Sequence, residues 1–182
     1  MSRVAAVVLA AGEGSRFGGP KQLLLLPAVL DRLARSPVDE VVVVEGAHPL
    51  ASTLEGRDAR LVRCASWERG PGASLRCGLA ALGDDVNAAI VVLADGPRLS
   101  PEAVARVIAS WRAEGGEVVA ASYGGARGHP LLAARPVWAD VPDDGLRALT
   151  PRLVPCDDLG DPGDVDLPGD LTGPAGLAGA GR

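Results

Sequence analysis

An apolar run that empties directly into a glycine-rich turn constrains this chain more than any other feature. From Val4 the sequence reads VAAVVLAAGEGSRFGGPKQL. Near-continuous apolar residues from Val4 to Ala11 predict a parallel strand buried on both faces, and the glycines that follow predict a loop at its carboxyl end. Gly12, Gly14, Gly18 and Gly19 leave the backbone free to take positive φ and expose amides that no β-carbon covers. Arg16 adds a planar fork of donors and Lys21 a mobile point charge, the two kinds of cation that hold a polyphosphate. Neither standard nucleotide loop is present: there is no GxxxxGK[ST], and Gly18 comes one place too late for GxGxxG. A strand ending in Gly-x-Gly also occurs where nothing binds, so it is the two cations inside the loop that favour phosphate.

The segment Leu9 to Leu23 resembles the LAAGxSxRxGxxKxL signature of the molybdenum-cofactor nucleotidyltransferases, nearest their molybdopterin cytidylyltransferase branch. The resemblance implies that Ala10, Ala11 and Gly12 hold the nucleotide base and phosphates, with Gly14 in the same loop. It implies that Arg16 and Lys21 hold the triphosphate and its pyrophosphate product. Glu13 and Gly14 depart from the pattern, and Glu13 places a carboxylate close to phosphate.

One further stretch repeats the address of a strand end. Ala88 to Ala94 reads as a buried strand, and Asp95 stands just past it, where open α/β sheets bind their ligands. A carboxylate there, beside a phosphate loop, suits Mg2+, a hard cation that takes oxygen ligands and bridges to phosphates. Asp95 before Gly96 and Pro97 is equally the composition of a plain turn. It resembles the family's magnesium-binding aspartate after the central strand. Near the end of the chain DVDLPGDL resembles the family's DIDTPEDL, which implies that Asp166, and more weakly Asp164, return to the metal. Leu167 and Gly169 replace the usual threonine and glutamate.

Between these motifs the chain alternates strand and helix patterns. A loop and short helix are expected in QLLLLPAVLDRLARSP, with Val29, Leu30 and Leu33 on the apolar face and Pro27 near its start. Strands are expected at Asp39 to Glu45, Ala59 to Cys64 and Glu117 to Ser122. Ser74 is expected to cap a helix whose Leu75, Leu79 and Leu82 share one face. By resemblance to GxxxSLxxGL it lies by the pyrimidine base. Ser100 is expected to cap a second helix with Pro101 in its first turn. Gly124 to Gly128 read as a flexible approach to RGHP, which resembles the family's second-substrate segment, so Arg127 and His129 are candidate substrate contacts. His48 reads as ordinary surface. A strand at 151–155 is expected at the edge of the sheet, running antiparallel.

With 182 residues the chain has room for one domain, placed at 1–171, with a low-complexity tail, 172–182, expected to be disordered. A net charge of −5 gives no general field for nucleic acid or an anionic membrane, so an anionic ligand must be held by a local cluster. The apolar run at the start is too short for a membrane span. Three cysteines without C-x-x-C spacing argue against a disulfide framework or zinc site and for a reducing cytoplasm.

Together these readings predict an open three-layer α/β/α sandwich, Rossmann-like, with a mostly parallel sheet. The resemblance implies a cytidylyltransferase that uses Mg2+ and CTP and a phosphorylated acceptor, molybdopterin, with a molybdoenzyme as the recipient. Two alternatives stay open: a guanylyltransferase or other NTP transferase with a different phosphorylated acceptor, and a non-catalytic carrier of nucleotide or pterin cofactor.

Overall fold

The computed structural model describes residues 1–14 and 19–163. Arg16, Asp164, Asp166 and the tail 172–182 therefore lie outside the described residues. Seven strands form one sheet: β1 (Arg3–Leu9), β2 (Glu40–Glu45), β3 (Arg60–Arg63), β4 (Val86–Leu93), β5 (Val118–Tyr123), β6 (Ala126–Ala134) and β7 (Arg152–Pro155), in the order β3-β2-β1-β4-β6-β5-β7. Among the described residues three α-helices cover it: α1 (Lys21–Leu33), α2 (Pro71–Ala80) and α3 (Pro101–Glu114).

The central strands are apolar throughout because both of their faces are covered. Val4, Ala6 and Val8 of β1 pack with Leu26, Val29 and Leu30 of α1 and with Val104, Val107 and Ile108 of α3. The alternate residues Ala5 and Val7 pack with Leu75 and Leu79 of α2. This gives the expected three layers, with β1 and β4 paired in parallel at the centre, Val8 opposite Val92 and Leu9 opposite Leu93. Both strands therefore finish together, bringing the loop after Leu9 beside Asp95. Gly78 lets α2 lie close on the sheet, since a β-carbon there would come 2.5 Å from Val7 and 2.9 Å from Val44.

Four local expectations are corrected. First, helix α1 begins at Lys21, so Pro27 falls in its interior. The buried side of Leu25, Leu26, Val29, Leu30 and Leu33 outweighs the backbone bond that a proline removes. Second, Ser74 does not cap α2. Gly70 does, Pro71 takes the first helical position, and Ser74 lies buried one turn in, its amide bonded to the Gly70 carbonyl at 3.4 Å. Third, β7 runs parallel to β5, and the antiparallel strand is β6, paired with β4 and β5. Gly124 and Gly125, at φ 58° and 77°, turn the chain back on itself so that what read as a flexible approach is a hairpin. Fourth, Cys64 and Cys77 form a disulfide, with Cα atoms 5.7 Å apart, between the exit of β3 and the second turn of α2. Only their separation in the fold, not a local spacing, reveals it. The expected cap of α3 is present: Ser100 Oγ accepts from the Ala103 amide at 3.3 Å.

Candidate active site

The glycine loop is closed at its neck. Gly14 has φ 70°, and a β-carbon on it would come 2.4 Å from the Gly19 carbonyl, so only glycine lets the two sides of the loop meet. The Gly19 carbonyl then accepts from the Lys21 amide at 2.8 Å, and helix α1 starts there. The neck of the loop thus lies beside a helix N-terminus, which favours anions. Ala10 and Ala11 are buried at the base, and the Ala11 carbonyl accepts from the Ala47 amide at 3.1 Å. Gly46 permits that approach, because a β-carbon there would come 2.7 Å from the same carbonyl and 2.6 Å from the Trp67 ring. Gly12 is exposed to solvent, open to a ligand.

Two side chains that the sequence did not single out hold this loop. Gln22 is 5% exposed and donates from Nε2 to the Gly12 carbonyl at 2.9 Å. His48 Nε2 donates to the Glu13 carbonyl at 2.8 Å, so the residue read as surface is a brace for the loop. No local pattern marks His48, which stands 35 residues from its partner. Gln22, next to Lys21 in the quoted motif, was within reach of the sequence reading.

Lys21 and Asp95, predicted separately from two motifs, meet: Nζ lies 2.7 Å from Oδ2, and both side chains are largely withdrawn from solvent. The pair places a cation and a carboxylate between the glycine loop and the end of β4. A triphosphate would compete for the cation and a divalent metal for the carboxylate. Among the described residues no group of three His, Cys, Asp or Glu could hold a metal ion. Asp95 offers the hard oxygen chemistry that Mg2+ prefers. Just before Asp164 and Asp166, the chain is held against the Asp95 turn: a β-carbon on Gly96 would come 3.3 Å from the Gly163 carbonyl, and Arg98 Nε donates to the Pro162 carbonyl at 3.4 Å.

Arg127 and His129 stand together on β6, in the walls of two adjoining clefts of about 170 and 330 Å3 at the carboxyl ends of the central strands. Arg127 donates to the carbonyls of Leu146 and Leu149, both at 2.9 Å, so its terminal nitrogens anchor the 145–149 turn. Burial, reinforced by the neighbouring Arg127 charge, lowers the His129 pKa from 6.5 to about 4, and the charges of Asp95 and Asp161 only partly oppose this. His129 is therefore neutral at pH 7. Ser74 is buried, and its amide is committed to α2.

The MobA-like NTP transferase domain model matches residues 6–152. The chain is 33% identical over 176 residues to the 2-C-methyl-D-erythritol 4-phosphate cytidylyltransferase of Ralstonia nicotianae, covering 82% of this chain and 68% of that protein. It is 36% identical over 134 residues to the bifunctional protein GlmU of Mycolicibacterium gilvum; that match takes in 65% of this chain and only 27% of that much longer protein. Among solved structures, Rv0371c from Mycobacterium tuberculosis H37Rv superposes with a TM-score of 0.77 at 28% identity, covering 94% of this chain and 96% of that one. Among the described residues no helix is long and apolar enough to cross a membrane.

Proposed function

Because the chain belongs to the MobA-like NTP transferase domain family, whose chemistry is nucleotidyl transfer, we propose that it moves CMP from CTP to a phosphorylated acceptor. A phosphate oxygen of the acceptor attacks the α-phosphorus of CTP in line, the bond from that phosphorus to its bridging oxygen breaks, and pyrophosphate leaves. The observation that carries this reading is the Lys21–Asp95 pair at 2.7 Å beneath the glycine loop. Lys21 and Arg16 would neutralise charge on the β- and γ-phosphates, and the loop's amides would hold the chain of phosphates in place. Mg2+ would be held by Asp95, with Asp166 and Asp164 as its further ligands, and supplies charge neutralisation at the phosphates when bound. His129, neutral at pH 7, is not needed as a base, because the attacking phosphate is already ionised and requires positioning.

Ala10-Ala11-Gly12 favours CTP over GTP by its resemblance to the cytidylyltransferase form of the loop, and the same resemblance favours molybdopterin as acceptor. A second reading, with 2-C-methyl-D-erythritol 4-phosphate as acceptor, is favoured by the 33% identity to the Ralstonia nicotianae enzyme of that name. Pyrophosphate release with each of the four nucleoside triphosphates, Mg2+, and either acceptor tests both. Turnover confined to CTP with molybdopterin supports the first reading, and turnover with the methylerythritol phosphate supports the second. A GTP preference would overturn the cytidylyl assignment. Tight, metal-independent CTP binding with no pyrophosphate from any acceptor would replace catalysis with the carrier alternative.

A further inference from the structure

The connection between β6 and β7 is fastened from two sides. From α2, Arg76 Nη1 donates to the Val141 carbonyl at 2.6 Å and Nη2 pairs with Asp143 at 2.5 Å, while the Gly72 amide donates to the Asp143 carbonyl at 2.8 Å. From β6, Arg127 ties the carbonyls of Leu146 and Leu149. Val141 and Leu146 are buried by these ties. Arg147, between the two carbonyls that Arg127 holds, is exposed and makes no hydrogen bond or ion pair with a described residue. It lines the mouth of the 330 Å3 cleft, whose floor is apolar and includes Leu75, Leu93 and Leu131.

A guanidinium with no partner among the described residues, carried on a turn fastened from both sides, over an apolar floor and near a second guanidinium, describes half of a recognition site. The two arginines repel, and Arg147 depresses the pKa of Arg127 beyond the effect of burial. An anion between them would relieve that repulsion. The lining also includes Leu9 at the end of β1, and Leu93 at the end of β4 stands two residues before Asp95 of the Lys21–Asp95 pair.

We propose that Arg147 is the specificity-determining residue for the acceptor: it pairs with an anionic group of a phosphorylated small molecule whose carbon skeleton packs on the apolar floor. This rests on the nucleotidyl-transfer reading for the identity of the site, and it assigns selection of the acceptor to a residue that the sequence analysis did not single out.

The test measures binding by isothermal titration of molybdopterin and, separately, of 2-C-methyl-D-erythritol 4-phosphate, alongside pyrophosphate release with CTP and Mg2+. Wild type is compared with Arg147→Ala, Arg147→Lys and Arg147→Glu. The proposal predicts that the acceptor that binds wild type binds Arg147→Ala about ten- to a hundredfold more weakly, as loss of a charge-assisted hydrogen bond implies. Lysine should restore part of the affinity, and glutamate should be worse than alanine. The KM for CTP should not change, which a general disturbance of the fold would not permit. Equal acceptor affinity in wild type and Arg147→Ala, or no binding of either compound by wild type, overturns the proposal. Loss of acceptor binding in Arg147→Ala without pyrophosphate release from wild type leaves this inference standing and defeats the transfer reading instead.

Discussion

Lys21 and Asp95 neutralise each other across 2.7 Å, and that mutual contact sets what each can do. In the proposed reaction a polyphosphate that takes Lys21 would remove the partner of Asp95 and leave a carboxylate ready for a cation, so nucleotide and metal would assist each other's entry. Lys21→Gln should therefore lower kcat/KM for CTP by roughly 10²–10³, the usual loss for one charge-stabilising donor, as steady-state pyrophosphate release will show. His129 gives a pH signature. Its pKa falls from 6.5 to about 4 on folding, so the unfolded chain takes up a proton that the folded chain refuses as pH drops through that interval. Stability is lost from pH 6.5 downward, by at most about 3 kcal/mol once pH is below 4. The difference in unfolding free energy between wild type and His129→Gln, followed by urea titration from pH 7 to pH 4, should change by up to that amount. A flat difference would mean that the imidazole is not withdrawn from water.

The seating of α2 against the 141–149 connection decides the shape of the larger cleft. Gly72 is the closest point, since a β-carbon there would come 1.7 Å from the Pro142 carbonyl and 2.7 Å from the Gly145 amide. Gly72→Ala must push two backbone segments apart and should cost about 3 kcal/mol, at the upper end of overpacking changes, measured as a lowered Tm and urea midpoint. What the sequence disclosed at this scale followed from periodicity and strand-end position. The buried run before Gly12 and the run before Asp95 were legible as strands of a mostly parallel sheet, and their motifs identified both members of the Lys21–Asp95 pair. Strand β6 was not legible because glycine and proline mask it: Pro130 falls where the pairing of β5 with β6 is irregular, and only Leu131 onward matches β4. The start of α1 was misplaced because Pro27 outweighed a run of leucines whose burial depends on tertiary contacts. His48, the disulfide and the ties from Arg76 and Arg127 to the 141–149 connection join residues far apart in sequence, and a local pattern carries no record of such pairings.

Across the whole molecule, the fold brings the glycine loop, Asp95 and the larger cleft to the same end of the sheet. A fold of this order needs no residue from the opposite end of the strands for the reaction. Its activity should consequently depend on one carboxylate at the end of β4 far more than its stability does. The most direct measurement compares wild type and Asp95→Asn for Mg2+-dependent pyrophosphate release from CTP with the acceptor present, with circular dichroism and Tm recorded on the same samples. The account predicts a folded variant that has lost at least roughly 10³ of turnover, and a wild-type enzyme that stops when EDTA removes the metal. Near-normal release by a folded Asp95→Asn, or wild-type turnover that persists in EDTA, would contradict it.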